Sequence, residues 1–356
     1  MARADGSRHM EDTRKGTPVG HRVAIAGASG YAGGEVLRLL TGHPELEIAA
    51  ATAHGHAGAP VNQVHPHLRT LAGVDFTPTT VEVLSDADLV IMTLPHGQSA
   101  ELAAQLPAGT KIVDLGADHR LVDAEAWSAY YSGPHAGAWT YGLPELPGQR
   151  AKIADATKVA ATGCYAVATT LALAPVLAAG IGSPEDVVVV AASGTSGAGR
   201  QAKPHLLASE VSGSLTPYKV GAHQHVPEIK QASGATSLSF TPVLAPMPRG
   251  ILATVTIRPT TLGLTGQDVR EVLGSAYQDE PFVSVLPEGA WPQTGATLGS
   301  NSCHLQVAMD VDADRIIVTA AIDNLGKGAA GQVVQCANLM LGLSETAGLS
   351  ANGVAP

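Results

Sequence analysis

The chain has 356 residues, of which 45% are hydrophobic, and its formal net charge is −10. This length and composition are typical of a globular protein with a large core and two domains, whereas an acidic balance without a block of lysine or arginine argues against binding to nucleic acid or to a membrane surface. No apolar run approaches the ~20 residues of a membrane-spanning helix, so we expect small metabolites as partners.

The three cysteines lie far apart, at positions 164, 303 and 336, and none belongs to a C-x-x-C pair. Isolated cysteines of this kind are typical of proteins in a reducing compartment and not of a disulfide framework, so we expect a cytoplasmic protein. Residues 1–21 lack the apolar centre of a secretory signal and are predicted to be a disordered leader outside the fold.

The first half of the chain alternates short apolar strands with helical segments. The run RVAIAG starts at residue 22 and leads through a glycine turn into an amphipathic segment with helical spacing. Further apolar runs lie at 46–53, 87–95, 111–116 and 158–162. This alternation predicts an α/β fold with a Rossmann-type, doubly wound parallel sheet, and a ligand crevice at the carboxyl ends of its strands.

The pattern changes after residue 163 to longer or alternating strands, and this predicts a second α+β domain with a mixed sheet. The strand-like runs are VVVVAASG, SLSFTPVLAP, ILATVTIRP, HLQVAMDV and RIIVTAAI. Residues 326–343 are predicted to form one helix that packs back on the first domain. We therefore place the first domain at 22–163 plus 324–356, and the second at 164–323.

The glycine turn GASGYAG has G-x-x-G-x-x-G spacing, which differs from the common G-x-G-x-x-G fingerprint. It follows the first strand and opens a helix, so its backbone N–H groups favour binding of a dinucleotide pyrophosphate, although an ordinary tight turn is the alternative. The cofactor contacts predicted here are Gly27, Ser29, Gly30, Tyr31, Ala32 and Gly33.

The end of the second strand bears on the choice of cofactor. NAD enzymes usually carry an acid there for the ribose hydroxyls, whereas this chain has Ala51, Thr52, Ala53 and His54. Because an uncharged end tolerates a 2′-phosphate, the sequence favours NADP(H), with Thr52 as a contact.

A second glycine loop, SGTSGAGR at 193–200, follows the apolar strand VVVVAA. Such a loop can pass close to a nicotinamide ring or bind an anion through its amides and Arg200, and a plain flexible turn is the alternative. The cofactor contacts predicted here are Ser193, Gly194, Ser196, Gly197 and Ala198.

Cys164 is the candidate nucleophile, because it stands between the predicted strand KVAAT and the apolar helix that follows. The first N–H groups and the dipole of that helix would stabilise a thiolate and lower the pKa of the thiol. Cys303 and Cys336 lie within apolar strand and helix patterns, so we expect them to be buried core residues.

The stretch AHQHVPEI offers His223 and His225 as proton-transfer partners. Alternate positions of an extended segment point to opposite sides, so only one of them should face the sulfur. A His-x-His pair also needs a third metal ligand, and no recognisable spacing supplies one, so we predict no metal site.

Taken together, these motifs resemble the N-acetyl-γ-glutamyl-phosphate reductase family of arginine biosynthesis, a relative of aspartate-semialdehyde dehydrogenase. The likeness runs from about residue 22 to the end and rests on GASGYAGGE, LPHGQSA, GADHRL, YGLPELPG, GCY, SGTSGAGR, HQHVPE, SFTPVLAPMPRGILAT, IDNLGKG and GVAP. The resemblance implies reduction of N-acetylglutamyl 5-phosphate, an acyl phosphate, by NADPH through a thioester on Cys164. It also implies a homodimer or homotetramer, with an NADP-binding first domain and a catalytic and oligomerisation second domain.

The resemblance assigns roles to individual residues of the motifs. His225, the second histidine of the HxHxPE motif, is the preferred general acid/base, with His223 as the alternative, and Asn324 lies on the cofactor side. The residues we predict to bind substrate are Arg120, Tyr165, Arg200, Gln224 and Glu228.

Three motifs depart from the usual family pattern. The chain reads TGCYAV where PGCYPT is usual, HQHVPE where HRHTPE is usual, and His119 stands where phenylalanine is usual. The exchange at Gln224 removes a positive charge that could meet the phosphate or carboxylate of the substrate. One alternative is therefore a paralogue that acts on a modified or carrier-linked acyl phosphate. Another is a non-catalytic NADP-binding regulator, against which the retained cysteine and histidines argue.

Overall fold

A computed structural model describes residues 20–355. The leader predicted for residues 1–21 lies outside the described residues except for its last two positions, and the first strand begins at His21.

A six-stranded sheet forms the first half of the molecule, and all of its pairings are parallel, in the order β2-β1-β3-β4-β6-β5. Its strands are β1 (His21–Ala26), β2 (Leu46–Thr52), β3 (Leu89–Met92), β4 (Lys111–Asp114), β5 (Thr140–Gly142) and β6 (Lys158–Ala161). The helices of this part are α1 (Tyr31–Leu40), α2 (Val61–Val64), α3 (Val81–Ser85), α4 (Ser99–Gln105), α5 (Ala124–Tyr130) and α6 (Gln149–Asp155). The predicted doubly wound sheet is confirmed, with β5 as a strand that its short TYG segment did not reveal.

A mixed seven-stranded sheet forms the second half, in the order β11-β12-β13-β10-β7-β9-β8. Its strands are β7 (Val187–Ser193), β8 (Thr216–Pro217), β9 (Leu238–Leu244), β10 (Ile251–Ile257), β11 (Val283–Val285), β12 (Cys303–Asp310) and β13 (Arg315–Ile322). The remaining helices are α7 (Cys164–Ala178), α8 (Ala208–Val211), α9 (Val226–Ser233), α10 (Gly266–Tyr277), α11 (Thr294–Thr297) and α12 (Gly331–Met340). Parallel pairs β7–β9 and β11–β12 stand beside antiparallel ones, so the predicted mixed sheet is also confirmed.

One face of the second sheet is buried and the other is open. On β7, Val187 and Val189 are fully buried in the core that α7 also joins, whereas Val188 and Val190 are 40% and 47% exposed. This alternation is the period-2 pattern of a strand that packs on one side only. The second face therefore presents apolar side chains to its surroundings.

The end of the chain returns to the first sheet, as predicted. Val333 and Val334 of α12 share a core with Val23 and Ile25 of β1. The predicted single helix is wrong in one respect, because residues Gly326–Ala330 form a π-helical turn before α12 starts. A π turn at this place brings Gly328 against the start of α7. The domain boundaries given above stay a prediction.

Candidate active site

Cys164 is the first residue of α7, and only Thr162 and Gly163 separate it from β6, as its sequence context predicts. Its side chain is partly exposed, whereas the next residue, Tyr165, is 2% exposed. Gly328 packs closely against it, since a Cβ added there would lie 2.9 Å from Cys164 Cβ. The nucleophile candidate thus stands at the edge of a densely packed turn.

The predicted low pKa of this thiol is wrong. Although solvent reaches part of the side chain, protein surrounds the sulfur on most sides, and this burial raises the pKa of Cys164 to about 11. The backbone N–H of Tyr165 favours the thiolate but does not offset the desolvation. Cys164 therefore carries its proton at neutral pH and needs a base.

His225 lies directly beside the nucleophile turn. A Cβ added to Gly163 would lie 2.5 Å from His225 Nε2, so the ring occupies the space that this glycine leaves free. The side chain is buried, and within the described part of the chain its Nδ1 has no hydrogen-bond partner. Among the same residues, Cys164 Sγ makes no hydrogen bond to either histidine, which is common before substrate tightens a site.

His223 faces a different environment. Its ring lies 5.4 Å from Tyr165, 5.8 Å from Tyr218 and 5.2 Å from Phe240, between centroids, in an aromatic cluster. Its Nδ1 accepts a hydrogen bond from the backbone N–H of His225 at 3.2 Å. The geometry therefore favours His225 as the partner of Cys164 and gives His223 a supporting position behind it.

Both histidines are neutral at pH 7. Burial, and after it the positive charge of Lys219, lowers the pKa of His223 to about 4. Burial, together with His223 and nearby cations, lowers the pKa of His225 well below its usual range. A neutral imidazole has a free nitrogen that can accept the proton of a neutral thiol, but its lowered pKa makes it a weaker base than an ordinary histidine.

Glu228 is fully buried and ties three parts of the site together. Its Oε1 accepts hydrogen bonds from Gly163 N at 2.8 Å and from the Tyr141 hydroxyl at 2.9 Å, while Oε2 pairs with Arg120 Nη1 at 3.2 Å. This carboxylate holds the backbone immediately before Cys164. Substrate binding, the role predicted for Glu228, is therefore not what its position supports.

Arg120 is engaged in a similar way. It is 4% exposed, and besides Glu228 its guanidinium donates to the carbonyl oxygens of Ala161 at 2.8 Å and Leu115 at 2.7 Å. These bonds join the loop after β4 to the end of β6. With its charge paired to Glu228 and its nitrogens engaged, Arg120 positions the turn, and its predicted contact with substrate stays a prediction.

Two more of the predicted substrate residues lie in unexpected surroundings. Tyr165 is buried, and its hydroxyl accepts a hydrogen bond from the Tyr218 hydroxyl at 3.0 Å, so it forms the floor of the site. Gln224 is partly exposed, and its Oε1 accepts a hydrogen bond from Lys219 Nζ at 2.7 Å. Sequence reasoning missed Lys219, because a lone lysine in a loop carries no motif.

The first glycine turn has three glycines for two different reasons. Gly27 has φ +82°, and a Cβ there would lie 2.8 Å from the carbonyl oxygen of Thr93; at Gly33 a Cβ would lie 2.6 Å from Gly27 O. The fold itself therefore requires these two. Gly30, at the start of α1, would meet only Gly27 O at 3.6 Å, so its bare backbone fits the close approach of a bound pyrophosphate. Ser29, Tyr31 and Ala32 are accessible beside it.

The second glycine loop faces the first across a cavity of about 500 Å³, which Tyr31, Thr195 and Ser196 line. Asn324 holds this loop, because its Oδ1 accepts from Gly250 N at 2.7 Å and its Nδ2 donates to Ser196 Oγ at 2.9 Å. The structure thus brings two separately predicted cofactor loops together. Gly197 and Ala198 are exposed, whereas Ser193 and Gly194 are buried supports below them.

Arg200 was predicted to bind substrate, but the structure places it in this cavity with the cofactor loops. Its guanidinium carbon lies 6.0 Å from the centroid of the Tyr31 ring. Lys203 and His67 line the same cavity. These groups fit an anionic cofactor better than the acyl group at Cys164.

The predicted cofactor contact of Thr52 is also corrected. Its side chain is fully buried and shares a hydrogen bond with Thr79 Oγ1 at 2.8 Å, while its carbonyl accepts from Ala28 N at 2.9 Å. Thr52 therefore supports the glycine turn from below. His54 is the first exposed residue after β2 and is the better candidate to lie near a 2′-phosphate.

Two features explain motifs whose role the sequence left open. His119 stacks on Trp139 with ring centroids 3.7 Å apart, so it fills an aromatic position. Arg249, from the MPRG segment, bridges Glu35 of α1 at 2.8 Å and Asp323 at 2.9 Å. That network joins the helix of the first glycine turn to the segment that carries Asn324.

Two family models match the chain. Residues 22–156 match the semialdehyde dehydrogenase NAD binding domain, and residues 164–324 match the semialdehyde dehydrogenase dimerisation domain. Among solved structures, aspartate semialdehyde dehydrogenase with NADP from Candida albicans has a TM-score of 0.70 at 16% identity, covering 90% of this chain and 98% of that one. Aspartate semialdehyde dehydrogenase II from Vibrio cholerae has a TM-score of 0.67 at 19% identity, with the same coverage.

Curated relatives are much more similar in sequence. N-acetyl-gamma-glutamyl-phosphate reductase of Salinispora tropica is 67% identical over 338 residues, which are 95% of this chain and 100% of the relative. The enzyme of the same name from Acidothermus cellulolyticus is 61% identical, again over 95% and 100% of the two chains.

The chain belongs to the N-acetyl-gamma-glutamyl-phosphate reductase family. This membership confirms the predicted oxidoreductase class, the acyl phosphate reduction of arginine biosynthesis and the NADP(H) cofactor. Neither the paralogue nor the regulator considered above is favoured by these relatives. Among residues 20–355, no helix combines the length and the apolar character needed to cross a membrane.

Proposed function

We propose that the reduction runs through a thioester on Cys164, with His225 as general acid/base. The observation that carries this proposal is the meeting, at the start of α7, of a partly exposed cysteine with a buried neutral histidine that occupies the space beside Gly163. The cleft with the two glycine loops supplies the cofactor site that the reaction requires.

In the first half of the reaction, His225 accepts the proton of the Cys164 thiol, and the thiolate attacks the acyl carbonyl carbon. The carbon–oxygen bond to phosphate then breaks, phosphate leaves, and a thioester remains. Backbone N–H groups in the first turn of α7 are candidates to stabilise the oxyanion, but not that of Gly163, which donates to Glu228.

In the second half, the two glycine loops would hold NADPH in the cleft, where it would supply a hydride to the thioester carbon. The resulting thiohemiacetal oxyanion collapses, the carbon–sulfur bond breaks and the semialdehyde leaves. His225 returns its proton to the sulfur, which restores the neutral pair. The chain's own residues thus hold the acyl group and move one proton between the same two atoms.

The outer face of the second sheet supports an oligomer. Val188, Val190 and Leu252 expose apolar side chains on adjacent strands β7 and β10, and contiguous apolar surface of this kind is typical of an interface. We propose a homodimer formed through this face, with a homotetramer as the larger alternative, in the cytoplasm. Sedimentation of the wild type and of Val190→Asp tests this proposal. The substitution places a charge on the apolar face, so it should shift the measured mass toward that of the monomer.

The thioester is tested by supplying acyl phosphate without reduced cofactor. Intact mass should then show one acyl adduct that maps to the Cys164 peptide, and Cys164→Ser should bind NADPH yet lose reduction. Because the pKa of Cys164 is raised to about 11, alkylation of the free enzyme by iodoacetamide should still be accelerating above pH 9. An adduct on Cys303, or near-normal turnover by the serine variant, would overturn the covalent route.

A further inference from the structure

The motif that carries the two histidines places a neutral residue, Gln224, between them. The acyl phosphate substrate is an anion at its phosphate and at its α-carboxylate, and Arg120, buried near Cys164, is already paired with Glu228. The site as predicted from motifs therefore lacks an available cation for either group. Lys219 is the described residue that meets this need.

Lys219 reaches the histidine segment from the loop that follows β8. Its Nζ donates to Gln224 Oε1 at 2.7 Å, and its charge is close enough to act on both His223 and His225. The amide is a neutral partner, so it orients the ammonium group without cancelling its charge. The side chain is exposed and two further donor hydrogens stay available to a ligand.

The backbone at this residue is held in an unusual conformation. Lys219 has φ +44°, and the other non-glycine residues with positive φ in the described chain are Asp186 and Asp314, a type that tolerates this region better. Lys219 O accepts from Ala222 N at 3.0 Å, which closes the turn. The preceding residue, Tyr218, is anchored to Tyr165 by the hydroxyl pair described above. A non-glycine residue that is held at positive φ next to the histidine segment indicates a functional constraint on this turn.

We propose that Lys219, oriented by Gln224, binds an anionic group of the substrate, either the phosphate or the α-carboxylate. The inference rests on the proposed function and adds to it the residue that recognises the substrate's charge. Lys219 sets affinity for the acyl phosphate, whereas Cys164 and His225 carry out the bond changes.

The first experiment measures binding without turnover. The rate of Cys164 alkylation by iodoacetamide is followed as inorganic phosphate or N-acetylglutamate is titrated into the wild type, Lys219→Gln and, as a matched control, exposed Lys152→Gln. Each protein is compared with itself without ligand, so a change in intrinsic thiol reactivity cancels. We expect the protection constant to weaken about tenfold in Lys219→Gln, as for loss of one charge-assisted hydrogen bond, and to be unchanged in Lys152→Gln.

The two probes separate the two anions. If Lys219→Gln weakens protection by phosphate but not by N-acetylglutamate, Lys219 binds the phosphate of the substrate. If it weakens protection by N-acetylglutamate but not by phosphate, Lys219 binds the carboxylate. The double variant Lys219→Gln/Gln224→Arg restores a positive charge at the same place and should recover most of the lost protection. Equal protection constants in the wild type and Lys219→Gln, or no protection of the wild type by either probe, would overturn the proposal.

Steady-state kinetics distinguish this inference from the proposed function. In Lys219→Gln, KM for N-acetylglutamyl phosphate should rise about tenfold while kcat and the Kd for NADPH change little. If the wild type forms no acyl adduct on Cys164 when acyl phosphate is supplied without reduced cofactor, the proposed thioester route fails. If the wild type turns over and KM of Lys219→Gln is unchanged, only the inference about Lys219 fails.

Discussion

The proton on the Cys164 thiol decides how this site works at the scale of single residues. Burial raises its pKa to about 11 and lowers the pKa of His225, so the resting pair is a thiol and a neutral imidazole rather than a thiolate and an imidazolium. Removing the thiol's proton then depends on how closely the ring approaches the turn. That approach is possible because residue 163 has no side chain.

Gly163→Ala tests this dependence without changing either reacting group. Its backbone angles suit alanine, but the new Cβ would lie 2.5 Å from His225 Nε2 and 2.9 Å from Arg120 Nη1, so the ring has to move. We expect kcat to fall by at least about 10²-fold, the lower range for loss of general acid/base catalysis, with an unchanged Kd for NADPH. Gly274→Ala, where a Cβ meets nothing within 4 Å on α10, is the control and should keep full activity. Full activity of Gly163→Ala would remove His225 from the reaction.

At the scale of elements, one buried ion pair links the three segments that form the site. Glu228 of α9 and Arg120 of the loop after β4 meet behind Gly163, directly before α7. A pair of this kind costs desolvation when it forms, so its net stabilisation is small, but removal of one partner leaves the other charge buried and unpaired. The pair therefore enforces one arrangement of α7 against α9.

A double-mutant cycle measures that coupling. Arg120→Met and Glu228→Gln should each lower the free energy of unfolding by about 3–5 kcal/mol, because each leaves one buried group without its partner. The double variant should lose clearly less than the sum of the two, and all are compared by urea unfolding. Arg258→Met breaks the exposed pair with Asp186, whose side chains are 56% and 59% exposed, and should cost under about 1 kcal/mol. Additive losses in the cycle would show that the two residues act independently.

Buried histidines make the free energy of unfolding of the whole molecule depend on pH. The pKa of His223, ordinarily 6.5, is lowered to about 4, and the pKa values of His225, His65 and His43 are lowered by burial as well. The unfolded chain takes up protons at these residues below pH 6.5 that the folded chain does not bind. Asp114 acts in the opposite sense, because burial raises its pKa from 3.8 to about 6.

The free energy of unfolding should therefore fall as pH decreases below 6.5, by about 1.4 kcal/mol per pH unit for each histidine that stays neutral. Asp114 offsets about one such histidine between pH 6 and 4, since its protonation favours the folded state. Calorimetric Tm values at pH 7.5, 6.5, 5.5 and 4.5 should show little change in the first interval and a steepening fall below it. His223→Asn should lower the number of protons taken up on unfolding by about one, so the free energy of unfolding should fall less steeply with decreasing pH. A constant or rising Tm below pH 6.5 would contradict this balance.

Local sequence was sufficient for the longer strands of the two sheets, the return of α12, the glycine turn and the position of Cys164 at the start of α7, because periodicity and glycine placement act over a few residues. The strands β5, β8 and β11 have only two or three residues each, which is too short for a periodic pattern. The surroundings of Arg120, Glu228, Arg200 and Thr52 depended on the tertiary structure, whereas the preference for His225 over His223 came from the motif and is supported by the geometry. The sign of the pKa shift at Cys164 and the place of Lys219 beside Gln224 also depended on the tertiary structure. Desolvation and ion pairing sum over neighbours that are distant in sequence, such as Arg120 and Glu228, which are 108 positions apart. No local pattern contains that sum.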